Sequence, residues 1–316
     1  MATKKANTSD FSSYKRKFWQ LFAYGFLGVI LLFLFASWGF FGKMPSFDDL
    51  ENPDSNVATE IISSDGVVIG KFYKENRTPV KYEELPQHLV KALVATEDER
   101  FYEHSGIDAK GTLRAVIRLG RDGGASTITQ QLAKNLFHGE GSKFILFRVI
   151  QKVKEWIIAI RLERQYTKQE IIALYLNQVD FVNGAVGIRS AAKIYMNKEP
   201  KDLTIEESAL FVGMLKNPSL YNPNRKKRAQ LVLDRRNTVL GQMEKNGVIS
   251  EAKKEALKKL PIKLDFRPES HSEGSATYFR EYLRDYMKKW VKDHIKEDGT
   301  EYDLYRDGLK IYTTID

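Results

Sequence analysis

The chain opens with an unbroken apolar run and then changes to periodic, amphipathic stretches. Residues 18–42, FWQLFAYGFLGVILLFLFASWGFFG, hold no charge between Lys17 and Lys43. A helix needs about 20 apolar residues to cross a hydrocarbon core of about 30 Å, whereas the apolar part of a cleaved signal has about 7 to 15. The run predicts an uncleaved membrane-spanning helix, with Trp19 and Trp38 near its two ends as interfacial aromatics; a buried core helix is the alternative. After it, residues 43–56 are polar with Pro45 and Pro53, the composition of a linker. Two β-branched runs, ATEIISSDG and VVIGKFYKE, meet at Asp65-Gly66 and predict a hairpin with a type I′ turn. From Pro86 to about Ile249, apolar residues recur at i, i+3 and i+4 in HLVKALVATEDERF, TITQQLAKNLF, FILFRVIQKVKEWIIAIRLERQY, KQEIIALYLNQV, AVGIRSAAKIYM and TIEESALFVGMLK. A mainly α domain follows from that period. Residues 251–276 read as a lysine-rich and then Gly/Ser-containing connection, 278–295 as an aromatic, charged helix, and the closing GLKIYTTID as a strand without an evident partner.

Composition and charge set the surroundings. A length of 316 residues suffices for one large or two modest cores. The net charge of +9 favours anionic partners, whether nucleic acid, membrane surface or phosphorylated substrate. The absence of cysteine excludes disulfides, thiolate metal sites and a cysteine nucleophile. Lys4, Lys5, Lys15, Arg16 and Lys17 precede the apolar run against one acid, Asp10, while Asp48, Asp49, Glu51 and Asp54 follow it. That asymmetry predicts a cytoplasmic N-terminus and an external remainder.

Three segments carry candidate chemistry. In ATEDERFYEHSG, residues 95–106, Glu97, Asp98 and Glu99 crowd together, and like charges suit a general base; a solvated helix end explains the same pattern. In GGASTITQQLAKN, residues 123–135, two glycines permit close backbone approach, and Ser126, Thr129, Gln130, Gln131, Lys134 and Asn135 offer groups for phosphate or sugar oxygens. A helix cap accounts for Ser126 or Thr127 alone. Arg148, Lys152 and Glu155 lie four and three apart and share a helix face, which is either an ion-pair ladder or part of a site. Two carboxylates with several cations beside a membrane anchor suit displacement of a diphosphate from a lipid-linked sugar.

In five ordered blocks the chain resembles the peptidoglycan glycosyltransferase domain of class A penicillin-binding proteins, glycosyltransferase family 51. The blocks are EDERFYEHSG from Glu97, GGASTITQQLAKN from Gly123, QKVKEWIIAIRLE from Gln151, KQEIIALYLN from Lys168 and GAVGIRSAAKIYMNK from Gly184. DLTIEESALFVGMLKNPSLYNP and RRNTVLGQM extend the resemblance, which covers about 57 to 250. Gln151 stands where the family commonly has Arg, and Val186, Met196 and Asn197 replace Tyr, Phe and Gly.

The resemblance implies a mainly α, lysozyme-like glycosyltransferase domain with a smaller membrane-facing lobe. It divides the chain into a cytoplasmic tail 1–17, membrane helix 18–42, linker 43–56, glycosyltransferase domain 57–250, and 251–316 as a linker region and the start of a transpeptidase domain. It implies Glu97 as catalytic base and Glu155 as the second acid, with Lys134 and Lys152 holding the diphosphate. Ser126, Thr129, Gln130, Gln131 and Asn135 would bind substrate. His104 reads as structural rather than catalytic, and Tyr175, Asn177, Tyr195 and Lys198 as residues that hold the helices or line the cleft. No obligatory cofactor follows, and a divalent cation, Mg2+ or Mn2+, held through Glu155 is left open. The implied partners are lipid II, the growing lipid-linked glycan strand, membrane lipids and other cell-wall synthesis proteins, not nucleic acid; NRKKRAQ at 224–230 would face lipid headgroups. The implied location is the bacterial inner membrane, with the catalytic domain on its outer face. The apolar stretch 134–147, with Lys143, is a candidate embedded jaw, or else an ordinary helix start. A Ser-x-x-Lys signature occurs only as SSYK at 12–15 and Lys-Thr-Gly nowhere, so no β-lactam-binding activity is expected of these residues.

Overall fold

A computed structural model describes residues 8–41, 59–72, 79–117, 124–137, 144–267, 277–296, 299–305 and 307–315. Lys4, Lys5, the 43–56 linker with its four acids, Gly123, Lys143 and the Gly/Ser stretch 268–276 lie outside the described residues.

Helix α1, Thr8–Ser37, contains an apolar span, Ser12–Ser37, long enough to cross a membrane. It starts earlier than the apolar run because Lys15, Arg16 and Lys17 are good helix formers. It ends earlier because Gly39, at φ 78°, closes it with Phe40 N–H on the Phe35 carbonyl at 3.0 Å.

The chain then forms β1, Thr59–Ile62, and β2, Val68–Phe72, an antiparallel hairpin as expected. Its turn is not type I′, since Gly66 has a positive φ of 84° and Asp65 does not. Instead Ser63 N–H reaches the Val67 carbonyl at 2.9 Å, and the Ser63 hydroxyl meets the Asp65 carboxylate. The local side-chain bonds close a longer loop that makes the two-residue turn unnecessary.

The helical body comprises α2 (Gln87–Glu97), α3 (Ala109–Ile117), α4 (Ile128–Phe137), α5 (Ile145–Gln165), α6 (Lys168–Gln178), α7 (Gly187–Met196), α8 (Ile205–Leu215), α9 (Ala229–Lys245) and α10 (Glu251–Lys258). Capping boxes start two of them: Thr167 with Glu170 at α6, and Thr204 with Glu207 at α8. Asn197, left-handed at φ 52°, ends α7. One apolar core runs through α2 and α4 to α10, centred on residues such as Leu93, Phe101, Leu132, Ile158, Tyr175 and Phe211. Within it α2, α8 and α9 pack together, and α4 lies against both α5 and α6.

Two short helices were not legible as such. α3 is a short segment beyond the first block, and α10 falls in the stretch read as a connection. α10 buries only Leu257, but the following residues Ile262, Leu264 and Phe266 also pack on the main core. The helical body therefore extends past residue 250, because those four apolar side chains have no other surface to cover.

The last elements, α11 (Thr277–Asp293) and β3 (Lys310–Tyr312), return to the hairpin. β3 pairs in parallel with β1, giving the order β2-β1-β3, and Ile61, Phe72, Met287 and Leu304 form a second small core. The strand predicted without a partner finds it some 250 residues earlier in the chain.

Candidate active site

α2 ends at Glu97 because Asp98, at φ −159° and ψ 75°, leaves the helical region. Asp98 then turns inward. Its carboxylate accepts from Ile128 N–H at 3.1 Å, the first turn of α4, and from His104 Nε2 at 3.0 Å. An anionic group there suits the positive end of a helix. His104 thereby holds Asp98 where Asp98 caps α4. Thr127 adds a second cap, accepting from Gln130 N–H at 3.1 Å while donating to the Gly106 carbonyl at 2.8 Å. Gly106, at φ 87°, has no room for a side chain, since a Cβ would stand 2.9 Å from the Ala159 backbone in α5. The first block is thereby clamped to the second by hydrogen bonds and to the third by backbone contact.

Beside this clamp lies a cleft of about 560 Å³ whose walls include Glu97, Gly124, Ser126, Gln131, Arg235 and Gln242. Glu97 Oε2 accepts from Gln131 Nε2 at 2.9 Å, and Arg235 stands 3.8 Å from Oε1. The Glu97 side chain is 16% exposed, enough to meet a substrate while remaining held. Arg100, Arg114, Lys216 and Lys245 join Arg235 in the walls, opposed by Asp98, Glu99 and Asp108 besides Glu97. Several of these acids are already committed: Glu99 lies within ion-pair reach of Arg100, Arg114 and Lys245, and Asp108 of Arg100. Burial pushes the Asp108 carboxyl up, but the Arg100 and Gly111 hydrogen bonds outweigh it and hold it below the usual range. Five basic side chains against four acidic ones leave the wall with a small positive excess, which favours an anionic substrate.

The third block joins through its lysine. Lys152 Nζ donates to the Ser126 hydroxyl at 2.8 Å and to Glu155 Oε2 at 3.0 Å. Glu155 is nearly buried and is not itself in the cleft wall; it reaches the cleft by way of Lys152 and Ser126. Among the described residues no group of three or more His, Asp or Glu side chains gathers to hold a metal ion. Glu155 already accepts from Lys152 with one oxygen, so a Mg2+ or Mn2+ ion held through it would need most of its ligands from substrate diphosphate and water.

Two residues expected to bind substrate face elsewhere. Thr129 is fully buried and donates to Glu163 Oε1 at 2.6 Å, and Glu163 also pairs with Lys168 at 2.8 Å. Gln130 is buried with Nε2 on the Gly106 carbonyl at 3.1 Å. Along α4 the side chains at 129 and 130 point into the core while 131 points to the cleft, a consequence of the 100° step between successive helical residues. Lys134 and Asn135 are exposed in the last turn of α4, outside the cleft lining.

The fourth and fifth blocks support rather than line the cleft. Lys168 Nζ donates to the His104 carbonyl at 2.6 Å and lies over the Phe101 ring. Asn177 bonds both backbone groups of Val80, Tyr195 donates to the Phe181 carbonyl at 2.8 Å, and Lys198 pairs with Glu207. Sequence reasoning gave no role to Arg235. Its signal was the doublet in RRNTVLGQM: neighbouring arginines on a helix cannot face the same way. Arg236 is buried on the Leu257, Lys258 and Leu260 carbonyls at the C-terminal end of α10, so Arg235 faces the cleft.

Outside the cleft, α1 packs on α5. Phe33 meets the Trp156 ring at 6.1 Å, and Lys154 Nζ donates to the Phe41 carbonyl at 2.6 Å. At the start of α5, Phe144 and Phe147 remain exposed.

A family model described as Transglycosylase matches residues 65–244, more than half of the chain. Penicillin-binding protein 1F of Bacillus subtilis is 43% identical over 203 residues, 62% of this chain and 27% of that protein. Penicillin-binding protein 1A of Vibrio cholerae is 37% identical over 299 residues, 92% of this chain and 34% of that one, and its Escherichia coli namesake is 33% identical over 279 residues, with 86% and 31% covered. A crystal structure of Penicillin-Binding Protein 1A from Haemophilus influenzae aligns with a TM-score of 0.43 at 25% identity, over 81% of this chain and 27% of that one. The chain spans about a third of the length of these curated relatives or less. With the matched region running from ahead of α2 to the penultimate residue of α9 and taking in every residue of the cleft wall but Lys245, the chain belongs to the transglycosylase family of penicillin-binding proteins.

Proposed function

We propose that this chain is a membrane-anchored peptidoglycan glycosyltransferase that polymerises lipid II into β1,4-linked strands. The observation that carries the reading is Glu97, a partly exposed carboxylate held by Gln131 at the wall of a cleft lined by charged side chains of both signs. The acceptor is the sugar O4 hydroxyl of lipid II, whose proton is too tightly held at neutral pH for it to attack unaided. Glu97 takes that proton as O4 bonds to the donor's anomeric carbon from the face opposite the departing group. The carbon–oxygen bond to the polyprenyl diphosphate breaks on the other face, so the configuration inverts. Diphosphate leaves as an anion and needs charge neutralisation more than a proton. Lys152, steered by Glu155 and Ser126, and Lys134 at the exposed end of α4 are the cations assigned to it.

A lipid-linked substrate requires the site to stand near the bilayer. The packing of α1 on α5 and the exposed Phe144 and Phe147 support that placement, with the N-terminus cytoplasmic, the cleft on the outer face, and membrane lipids as partners. Other cell-wall synthesis proteins belong to the same reading. The test is polymerisation of labelled lipid II by the purified chain. Glu97→Gln is expected to lose about 10²- to 10⁴-fold in rate with the fold intact, the usual contribution of a general base. No polymer from wild type, or as much from the variant, sinks the mechanism.

A further inference from the structure

Glu97 is held by a chain of two hydrogen bonds that ends on a side chain remote from the cleft surface. Tyr175, in α6, is 2% exposed, and its hydroxyl donates to Gln131 Oε1 at 2.9 Å. Gln131 in turn donates from Nε2 to Glu97 Oε2 at 2.9 Å. We propose that Tyr175 is a positioning residue for the glycosyl-transfer base: by holding the Gln131 carbonyl oxygen it locks the amide with its NH2 toward Glu97, leaving Oε1 to take the acceptor's proton. The inference rests on Glu97 being that base.

The chemistry of the three groups gives the chain its direction. An ionised carboxylate only accepts, so it requires the amide NH2, and the amide oxygen must then find a donor on its other side. In a buried place that donor has to be a group that stays protonated. Burial, with the Glu97 charge second, holds the Tyr175 hydroxyl well above the ordinary tyrosine range, so it remains a donor at every pH at which the enzyme works. Without that hydroxyl the amide is free to rotate and point its oxygen at the carboxylate. Two acceptors would then face each other, which favours the protonated and inactive form of the base. With Oε2 saturated by Gln131, the remaining oxygen is the one facing Arg235 at 3.8 Å.

The other charged groups around Glu97 do not depend on Tyr175. Arg235 is fixed by the Gly213 carbonyl at 3.2 Å, and Lys245 and Arg114 lie nearest Glu99. Arg100 is tied to Asp108 and Asp98 to His104, and Lys216 enters the wall from the end of α8. A change in pH dependence on removing the Tyr175 hydroxyl therefore reports the Gln131 link.

The experiment measures initial rates of labelled lipid II polymerisation by the full chain across the acidic and neutral range for wild type, Tyr175→Phe, Gln131→Met and the double variant, with Glu97→Gln alongside. Tyr175→Phe keeps the ring and removes only the hydroxyl. By freeing the amide to turn away, it is expected to cost Glu97 its hydrogen bond from Gln131, moving the acidic limb of the kcat/KM profile up by about one pH unit and lowering kcat/KM on that limb by about tenfold. In the Gln131→Met background the same substitution should change nothing further. An unmoved limb, or an equal loss in both backgrounds, overturns the relay and leaves Tyr175 a packing residue. Should Tyr175→Phe not fold, Gln131→Met alone decides: a folded variant with the wild-type acidic limb overturns the proposal, and a limb shifted upward sustains it. If Glu97→Gln polymerises normally, the base assignment itself fails; if it is inactive while Tyr175→Phe matches wild type, only the relay fails.

Discussion

Thr129 and Gln131 sit two residues apart in the same hydroxyl- and amide-rich stretch, yet one is sealed in the core and the other meets Glu97. Residue type announced that both would hydrogen-bond and could not say to what. Thr129 satisfies Glu163, a carboxylate whose side chain is only 4% exposed, so Thr129→Val removes a donor from a buried charge. The expected cost is about 1–3 kcal/mol of stability, seen as a lower Tm with kcat/KM for polymerisation unchanged. A preserved Tm with lost activity would return Thr129 to the substrate site. Glu97 differs because it follows from local chemistry: it ends a helix beside two further acids, and its exposure follows from that ending.

The elements that shape the site are joined at a few close approaches. Gly106 presses on the Ala159 backbone of α5, one helical turn beyond Glu155, so the spacing between the first and third blocks depends on a missing side chain. Gly106→Ala has to abandon φ 87° or push α5 away. A cost of about 1–3 kcal/mol is expected from the strained backbone alone, measurable as a fall in Tm, together with a loss of polymerisation that lowering the temperature does not recover. Full activity at low temperature would show that the approach of α5 to the first block is not critical. Helix periodicity revealed α2 and α4 to α8 because each buries an apolar face, while α9 lay inside the range read as helical without a stretch singled out for it. It missed α3 and α10, which are short and carry little of the core. The small sheet was half legible: hairpin partners are neighbours in sequence, whereas the β1–β3 pairing spans most of the chain.

For the molecule as a whole, the apolar helix α1, proposed above as the anchor, packs on the helix that carries Glu155, the contact on which the proposed placement of the cleft beside the bilayer rests. The orientation rests on charge asymmetry, and a chain without cysteine makes it directly testable. Lys226→Cys, exposed on the helical body, should react with a membrane-impermeant maleimide in intact cells, and Ser13→Cys only after lysis. The reverse pattern overturns the orientation.

Patterns local to the chain determined much of this: the apolar N-terminal helix, most helices of the core, the hairpin, the basic character, and the two glutamates within their blocks. Such features arise from interactions a few residues long, which a sequence displays directly. The tertiary structure alone decided that Thr129 and Gln130 face inward, that Arg235 stands beside Glu97 in the cleft wall, that Glu155 pairs with Lys152, and that Tyr175 is linked to Glu97 through Gln131. Each depends on which face of one helix meets which face of another. That choice is made by packing the core, and it leaves no mark in the order of residues along any single element.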